Sequence, residues 1–176
     1  MKFHETELEG AYIIELEKLE DSRGFFARTF CQKELEDHGL APGVAQANVS
    51  FNARAGTLRG MHYQTAPYEE TKLIRCTSGA LYDVIVDLRP DSATYRRWIG
   101  VELTANNYRM LYVPANFAHG FITLEDNTEA IYFVSEFYTP GSERGLRWDD
   151  SQFNIDWPRS VDVISEKDAS WPVFAG

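Results

Sequence analysis

Alternation of apolar and polar positions marks out the middle of the chain. In 81–88 (LYDVIVDL), Tyr82, Val84, Val86 and Leu88 share one face of an extended strand, and Asp83, Ile85 and Asp87 share the other. Neither face is purely polar, so one side is expected to pack and the other to line a cavity or an interface. Strands are predicted at 58–64, 72–77, 80–88, 97–103, 109–113, 119–124 and 130–138, each bounded by Gly, Pro, Asn, Asp or Thr. The early helix predicted is 32–38 (QKELEDH), with Gly39 in the position of a C-cap glycine. Closely spaced turn signals, many antiparallel strands and little helix predict an all-β jelly-roll or related barrel. After Ser142 the chain is turn-rich but carries Trp148, Phe153, Trp157, Trp171 and Phe174, so this tail is expected to fold back onto the barrel. No repeat or linker divides the chain, and a single domain over 1–176 is expected.

Composition narrows the function classes. The formal net charge of −10 argues against general nucleic-acid binding, which depends on Lys and Arg neutralising phosphates. A phosphate-bearing ligand would need a local basic cluster. No run approaches the ~20 apolar residues that span a bilayer, and the opening MKFHETELEGAY has no apolar segment of a signal peptide, so neither membrane association nor secretion is expected. Cys31 and Cys76 lie far apart in no CxxC pattern, which predicts free thiols in a reducing compartment, most simply the cytoplasm.

The chain has only 4 histidines. His4 and His38 sit in polar surroundings and read as surface residues. His62 and His119 lie in or beside predicted strands, in LRGMHYQ and VPANFAHGF, among glycines and aromatics. A hydrogen-bonded core histidine is one reading of His62. In an ideal strand Gly60, His62 and Gln64 share a face and Arg59 and Met61 the other, although a bulge at Gly60 would redirect Arg59. The glycine beside the histidine is expected to leave room for a ligand.

Two chemistries suit such a pair of histidines. Cupin-type barrels hold iron, manganese or zinc through a His-x-His pair, a carboxylate and a later histidine, but here the second member is Gln64 and Lys72 stands where the carboxylate would fall. An amide is a weak ligand and an ammonium none, so no metal is expected. The other chemistry is proton transfer, for which an imidazole with an ordinary pKa of about 6.5 is suited near neutrality. Abstracting a carbon-bound proton needs an acid on the opposite face of the substrate, a cation for the enolate oxygen and a carboxylate to hold the imidazole. Lys72 can supply the cation and Tyr132 the acid. Several aspartates remain open for the last role.

The segments LRGMHYQ (58–64), KLIRCTSGALYDVIVDLR (72–89), VPANFAHGF (113–121), YTPGSERGLRWDD (138–150) and ISEKD (164–168), with DSRGFF (21–26) and FNIDWP (153–158), closely resemble the dTDP-4-dehydrorhamnose 3,5-epimerase family nearly end to end. The resemblance implies a cupin-like jelly-roll homodimer that epimerises a nucleoside-diphosphate 4-keto-6-deoxy sugar at C3 and C5 without metal or cofactor. Carried over by position, His62 resembles the family's base, Asp168 its orienting carboxylate, Lys72 its enolate-stabilising lysine and Tyr132 its acid, while His119 resembles a substrate-contacting histidine. At the nucleotide end Arg23, Gln46, Asn48, Arg59, Glu143 and Lys167 match contact positions, and Tyr138 matches an aromatic that stacks on the base. Tyr132 and Tyr138 would then lie about 20 Å apart on one strand face, and Arg23, Arg59 and Lys72 would form the basic patch for the diphosphate.

The chain departs from the family's pattern at Arg28, where a Glu is common, at Ala47 in QAN, where QDN is common, and at Phe133, Val134 and Ser135. These changes leave the catalytic set intact and are expected to alter the nucleotide-facing set. Two other function classes stand beside the epimerase: a metal-dependent cupin oxygenase, disfavoured by Gln64 and Lys72, and a non-catalytic sugar-nucleotide-binding module, which would have no evident need for His62, Lys72, Tyr132 and Asp168 together.

Overall fold

The computed structural model describes residues 1–175. Two facing sheets form the barrel. The first takes strands in the order β1 (Lys2–Glu5), β2 (Tyr12–Glu15), β10 (Met110–Val113), β7 (Lys72–Ser78), β12 (Thr128–Val134) and β5 (Gln46–Asn52). The second runs β13 (Glu143–Gly145), β6 (Thr57–Gln64), β11 (Phe117–Thr123), β8 (Ala80–Asp87) and β9 (Trp98–Thr104), with β14 (Val163–Ile164) added in parallel to β6. A separate hairpin pairs β3 (Leu19–Asp21) with β4 (Gly24–Phe26), and two short helices, α1 (Gln32–Asp37) and α2 (Glu166–Ala169), complete the described fold. No helix among the described residues is long and apolar enough to cross a membrane.

The inward faces of both sheets close on Ile74, Cys76, Leu81, Ile85, Leu103, Leu111, Val113, Phe117, Phe121 and Ala130. Burial of each large apolar side chain contributes roughly 1.5–3 kcal/mol. Along β7 the inward positions read Lys72, Ile74, Cys76, so one end of the barrel is a packed apolar plug and the other carries a buried ammonium. A second cluster covers the outside of the first sheet, where Leu35 of α1 and Leu40 meet Ile14, Leu73, Met110 and Tyr112. A third lies outside the second sheet, where Leu146 and Phe153, with Trp157 and Phe174, cover Met61, Val84, Val86 and Ala118. The tail does fold back. It is pinned to the barrel by Trp98 Nε1–H of β9 donating to the Phe153 carbonyl, and braced within itself by Trp157 Nε1–H donating to the Trp148 carbonyl, both at 2.9 Å.

The seven strands expected from the pattern are all present, six of them ending within a residue of the predicted end and one stopping well short of it. β12 stops at Val134, four residues before Tyr138. Beyond it, Ser135 exchanges bonds with Thr71 and the Tyr138 N–H donates to Gln46 Oε1 at 2.7 Å, so side chains replace the ladder and the backbone turns away. Tyr132 and Tyr138 therefore do not share one strand face. The pattern also missed β5, because QANVSFN is inverted: the exposed positions include Val49 and Phe51, whereas Gln46, Asn48, Ser50 and Asn52 are the covered ones. Asn and Gln are poor strand formers by composition, and they are tolerated here because the covered face borders a polar cleft.

Candidate active site

The open end of the barrel holds a cleft in two lobes. The inner lobe, about 320 Å³, is bordered by Ser50, Arg59, His62, Lys72, His119, Phe121, Tyr132 and Asp168, together with Val49, Phe51 and Gly120. The outer lobe, about 250 Å³, is lined by Gln46, Asn48, Glu70, Val134, Tyr138 and Glu143. His62, Lys72 and Tyr132 border both lobes and so stand at the seam. His62 comes from β6 in one sheet, while Lys72 and Tyr132 come from β7 and β12 in the other. A ligand between the sheets would thus meet an imidazole on one side and a phenol and an ammonium on the other.

The position of His62 depends on irregular backbone. In the ladder with β11, His119 pairs with His62 but Phe121 pairs with Arg59, so β6 carries one residue more than its partner between these points. The extra residue sits at Gly60 and Met61, and it brings Arg59 and His62, three apart in sequence, to the same cleft. Gly60 has φ +128°, and a Cβ there would lie 2.5 Å from Gly120 Cα. The glycine is needed for the approach of one backbone to another, which corrects the expectation that it makes room for ligand. Arg59 is held by Nε–H donation to Asn52 Oδ1 at 2.7 Å.

Asp168 reaches His62 from a part of the chain 106 residues away. Its Oδ1 meets His62 Nε2 at 2.6 Å and its Oδ2 accepts the Gly60 N–H at 3.2 Å. Ser165 caps α2 by accepting the Asp168 N–H, which fixes the carboxylate from behind. Burial alone would raise the Asp168 pKa, but the bonds from His62, Gly60 and Ser165 outweigh it and hold the carboxyl below its usual range. An ionised Asp168 fixes the hydrogen of His62 on Nε2 and leaves Nδ1 free as a base. Trp171 packs edge-on against the imidazole at 6.2 Å between ring centres, over Gly145, where a Cβ would overlap its indole.

On the opposite sheet, Tyr132 is partly buried, and its hydroxyl pKa is raised, first by burial and then by the negative charge of Glu70, against a smaller lowering by Arg59. A phenol held protonated well above neutrality can donate. Lys72 is 8% exposed, and its Nζ donates to Glu70 Oε1 at 2.5 Å. Gln64, the residue that broke the metal pattern, has a scaffolding part: its amide bonds Tyr68 in the β6–β7 loop and Phe137, Thr139 and Ser142 in the β12–β13 loop, and so ties two loops together at the mouth. Among the described residues no three His, Cys, Asp or Glu side chains converge in a metal-ligating group.

The structure brings together His62, Lys72, Tyr132, Asp168, Arg59 and His119 in the inner lobe, and Gln46, Asn48, Tyr138 and Glu143 in the outer one. Lys167 joins through an ion pair with Glu143. Arg23 stands apart on the β3–β4 hairpin, 87% exposed at its side chain and turned onto Asp21 at 2.6 Å, so in a single chain the basic patch is Arg59 and Lys72 alone. The departures from the family's pattern fall mostly outside the cleft. Ala47 is on the exposed side of β5, Phe133 packs with Phe30 outside the barrel, and Arg28 pairs with Glu34 at 3.0 Å; only Val134 borders the outer lobe. Sequence reasoning missed Glu70 and the Asp83 partner of His119. An inward Asp between apolar neighbours in a strand was the available signal for the second.

A family profile described as dTDP-4-dehydrorhamnose 3,5-epimerase matches residues 5–176. The chain belongs to this family. A relative from Sinorhizobium fredii with the same description is 42% identical over 98% of this chain and 89% of its own. The epimerase of Bacillus anthracis, solved with TDP and PPi bound, superposes with a TM-score of 0.94 at 43% identity, covering 98% of this chain and 99% of that one. The Legionella pneumophila protein, solved in complex with dTDP-4-keto-L-rhamnose, gives 0.90 at 36% identity over 98% and 92% of the two chains. This epimerase chain is accordingly an all-β cupin-like jelly roll and a sugar-nucleotide epimerase of the isomerase class. Neither the oxygenase nor the non-catalytic reading finds support among these relatives.

Proposed function

We propose that the protein inverts C3 and C5 of a dTDP-linked 4-keto-6-deoxy sugar. The observation that carries the reading is the placement of His62 and Tyr132 on facing sheets with Lys72 beside them. The 4-keto group acidifies the adjacent C–H bonds. His62 Nδ1 takes the proton, the electron pair moves into the C–C–O system, and Lys72 stabilises the negative oxygen. Tyr132 then returns a proton to the same carbon from the other side. The second centre reacts in the same way, and solvent resets the proton on each residue, so the chemistry is redox-neutral and uses no cofactor. Asp168 orients the base, the sugar fills the inner lobe with Arg59 at its edge, and the nucleotide extends past Tyr138 and Glu143, with Lys167 and His119 as further contacts.

A homodimer belongs to this reading. Val49 and Phe51 on edge strand β5 are 61% and 54% exposed, and Leu19 and Phe26 on the hairpin 68% and 70%. A second copy covering these groups removes a large apolar area from water, and docking of the hairpin would bring Arg23 toward the other copy's cleft. The two free thiols suit a cytoplasmic setting. Incubation with dTDP-4-keto-6-deoxyglucose in heavy water should place deuterium at C3 and C5. His62→Asn should abolish this, and Tyr132→Phe should allow exchange while suppressing inversion. Absence of wild-type exchange would overturn the proposal.

A further inference from the structure

The inner lobe contains a second imidazole–carboxylate pair, and its surroundings differ from those of the first. His119 lies directly across the ladder from His62. Its Nε2 meets Asp83 Oδ1 at 2.8 Å, but Asp83 is fully buried on β8 and its Oδ2 has no partner. His119 lines the cleft, and its Nδ1 has no hydrogen-bond partner among the described residues and is not among the sealed-in atoms, so its open side is the cavity.

Counting protons on this pair decides what Nδ1 presents. With one proton, the carboxylate accepts Nε2–H, Nδ1 is bare, and the pair carries a net negative charge with an orphaned oxygen inside the barrel. An uncompensated buried charge of this kind is costly. Lys72, the ammonium whose field reaches Asp83, is already matched by Glu70. With two protons the pair is neutral overall. The shared proton then sits on Nε2 or on Asp83, and in both cases Nδ1 carries a hydrogen. Burial also pushes the Asp83 pKa up, against a lowering by His119. The His62 pair is the opposite case, because the Asp168 carboxylate has the Gly60 N–H as a second donor and keeps its charge.

We infer that the Asp83–His119 pair holds two protons and that His119 Nδ1–H, alongside Lys72, is a hydrogen-bond donor to the substrate oxygen that becomes the enolate. Asp83 acts through His119 and is a positioning residue. Two similar imidazole–carboxylate pairs thus take opposite roles in one cleft: His62 accepts a proton and His119 keeps one. The inference rests on the enolate reading above. The remaining titratable side chains lining this lobe are His62, Lys72, Tyr132, Arg59 and Asp168.

The test begins with the substrate-free protein, which does not depend on that reading. Histidine labelled with ¹⁵N, with His119 assigned by its loss in His119→Asn, should show a protonated Nδ1 at neutral pH; a bare Nδ1 overturns the inference. In Asp83→Asn the kcat for epimerisation and the rate of deuterium exchange should fall together by about 10²-fold, as for loss of one oxyanion donor, with KM within about threefold. An unchanged kcat in a folded Asp83→Asn overturns it as well. If that variant does not fold, the wild-type spectrum still decides. Failure of wild-type exchange, by contrast, would count against the enolate reading and leave the ¹⁵N result standing.

Discussion

Replacing Asp168 by Asn isolates the charge behind the base. The substitution keeps volume, so packing at a site 5% exposed is preserved. The two neighbours of the carboxylate are both donors when His62 holds its hydrogen on Nε2: that ring nitrogen at 2.6 Å and the Gly60 N–H at 3.2 Å. An amide has one accepting and one donating end, so it cannot satisfy both. With its oxygen on Gly60 its NH₂ must donate to His62 Nε2, which moves the ring hydrogen to Nδ1 and removes the base. With its oxygen on His62 the tautomer survives, but two donors face one another at Gly60 and the carboxylate charge is lost. A hydrogen bond to a charged group is worth about 1.5–3 kcal/mol net against about 0.5–1.5 for a neutral one. The gap of roughly 1–2 kcal/mol corresponds to about 5–30-fold in kcat. Tautomer loss carries the effect toward the ~10⁴ seen when a serine-protease triad aspartate becomes asparagine. The expected result is a kcat reduced at least about 30-fold, followed as deuterium entering C3 and C5 in heavy water, with an unchanged far-ultraviolet circular dichroism spectrum. A kcat within threefold of wild type would refute the reasoning.

Gly60→Ala should destabilise the chain by roughly 2–4 kcal/mol in urea unfolding, since its Cβ would meet backbone at 2.5 Å as well as adopt φ +128°; Gly24→Ala, at φ +125° with nothing within 4 Å, separates strain from collision and should cost less. Equal losses would show that the β6–β11 approach is not tight. Asp87 provides an acid-stability test. Burial alone would raise its pKa, but bonds from Arg89, Ser92 and Thr94 outweigh this and bring it down from 3.8 to about 2. A depressed carboxylate contributes its stability above the unfolded pKa and loses it as pH falls through the folded one, here between about pH 4 and pH 2. The contribution is roughly 2 kcal/mol, and Asp87→Asn should flatten the stability curve over that interval. A curve parallel to wild type would show that the network does not hold the charge.

Much of the fold is legible without coordinates, because alternation within a strand is local; His62, Lys72 and Tyr132 stand out as candidates by residue type and segment, whereas Asp168 is picked out only by the resemblance of ISEKD to the family's pattern. The aromatic tail is legible for the same reason, since Trp157 and Phe174 have no place in water. What depends on contacts between distant segments is not. β5 hides from pattern reading because its covered side is the wall of a polar cleft, and the end of β12 at Val134 is set by Ser135 and Gln46 making bonds that no alternation records. Likewise the bulge at Gly60 exists only against Gly120. Which carboxylate each imidazole meets is set by tertiary structure: Asp168 arrives beside His62 on a helix of four residues, and Asp83 beside His119 on β8, the strand adjacent to β11. Their different environments, one with a second donor and one with an orphaned oxygen, separate the two imidazoles, because the free energy of a charge depends on what surrounds it in space and not on what precedes it in the chain.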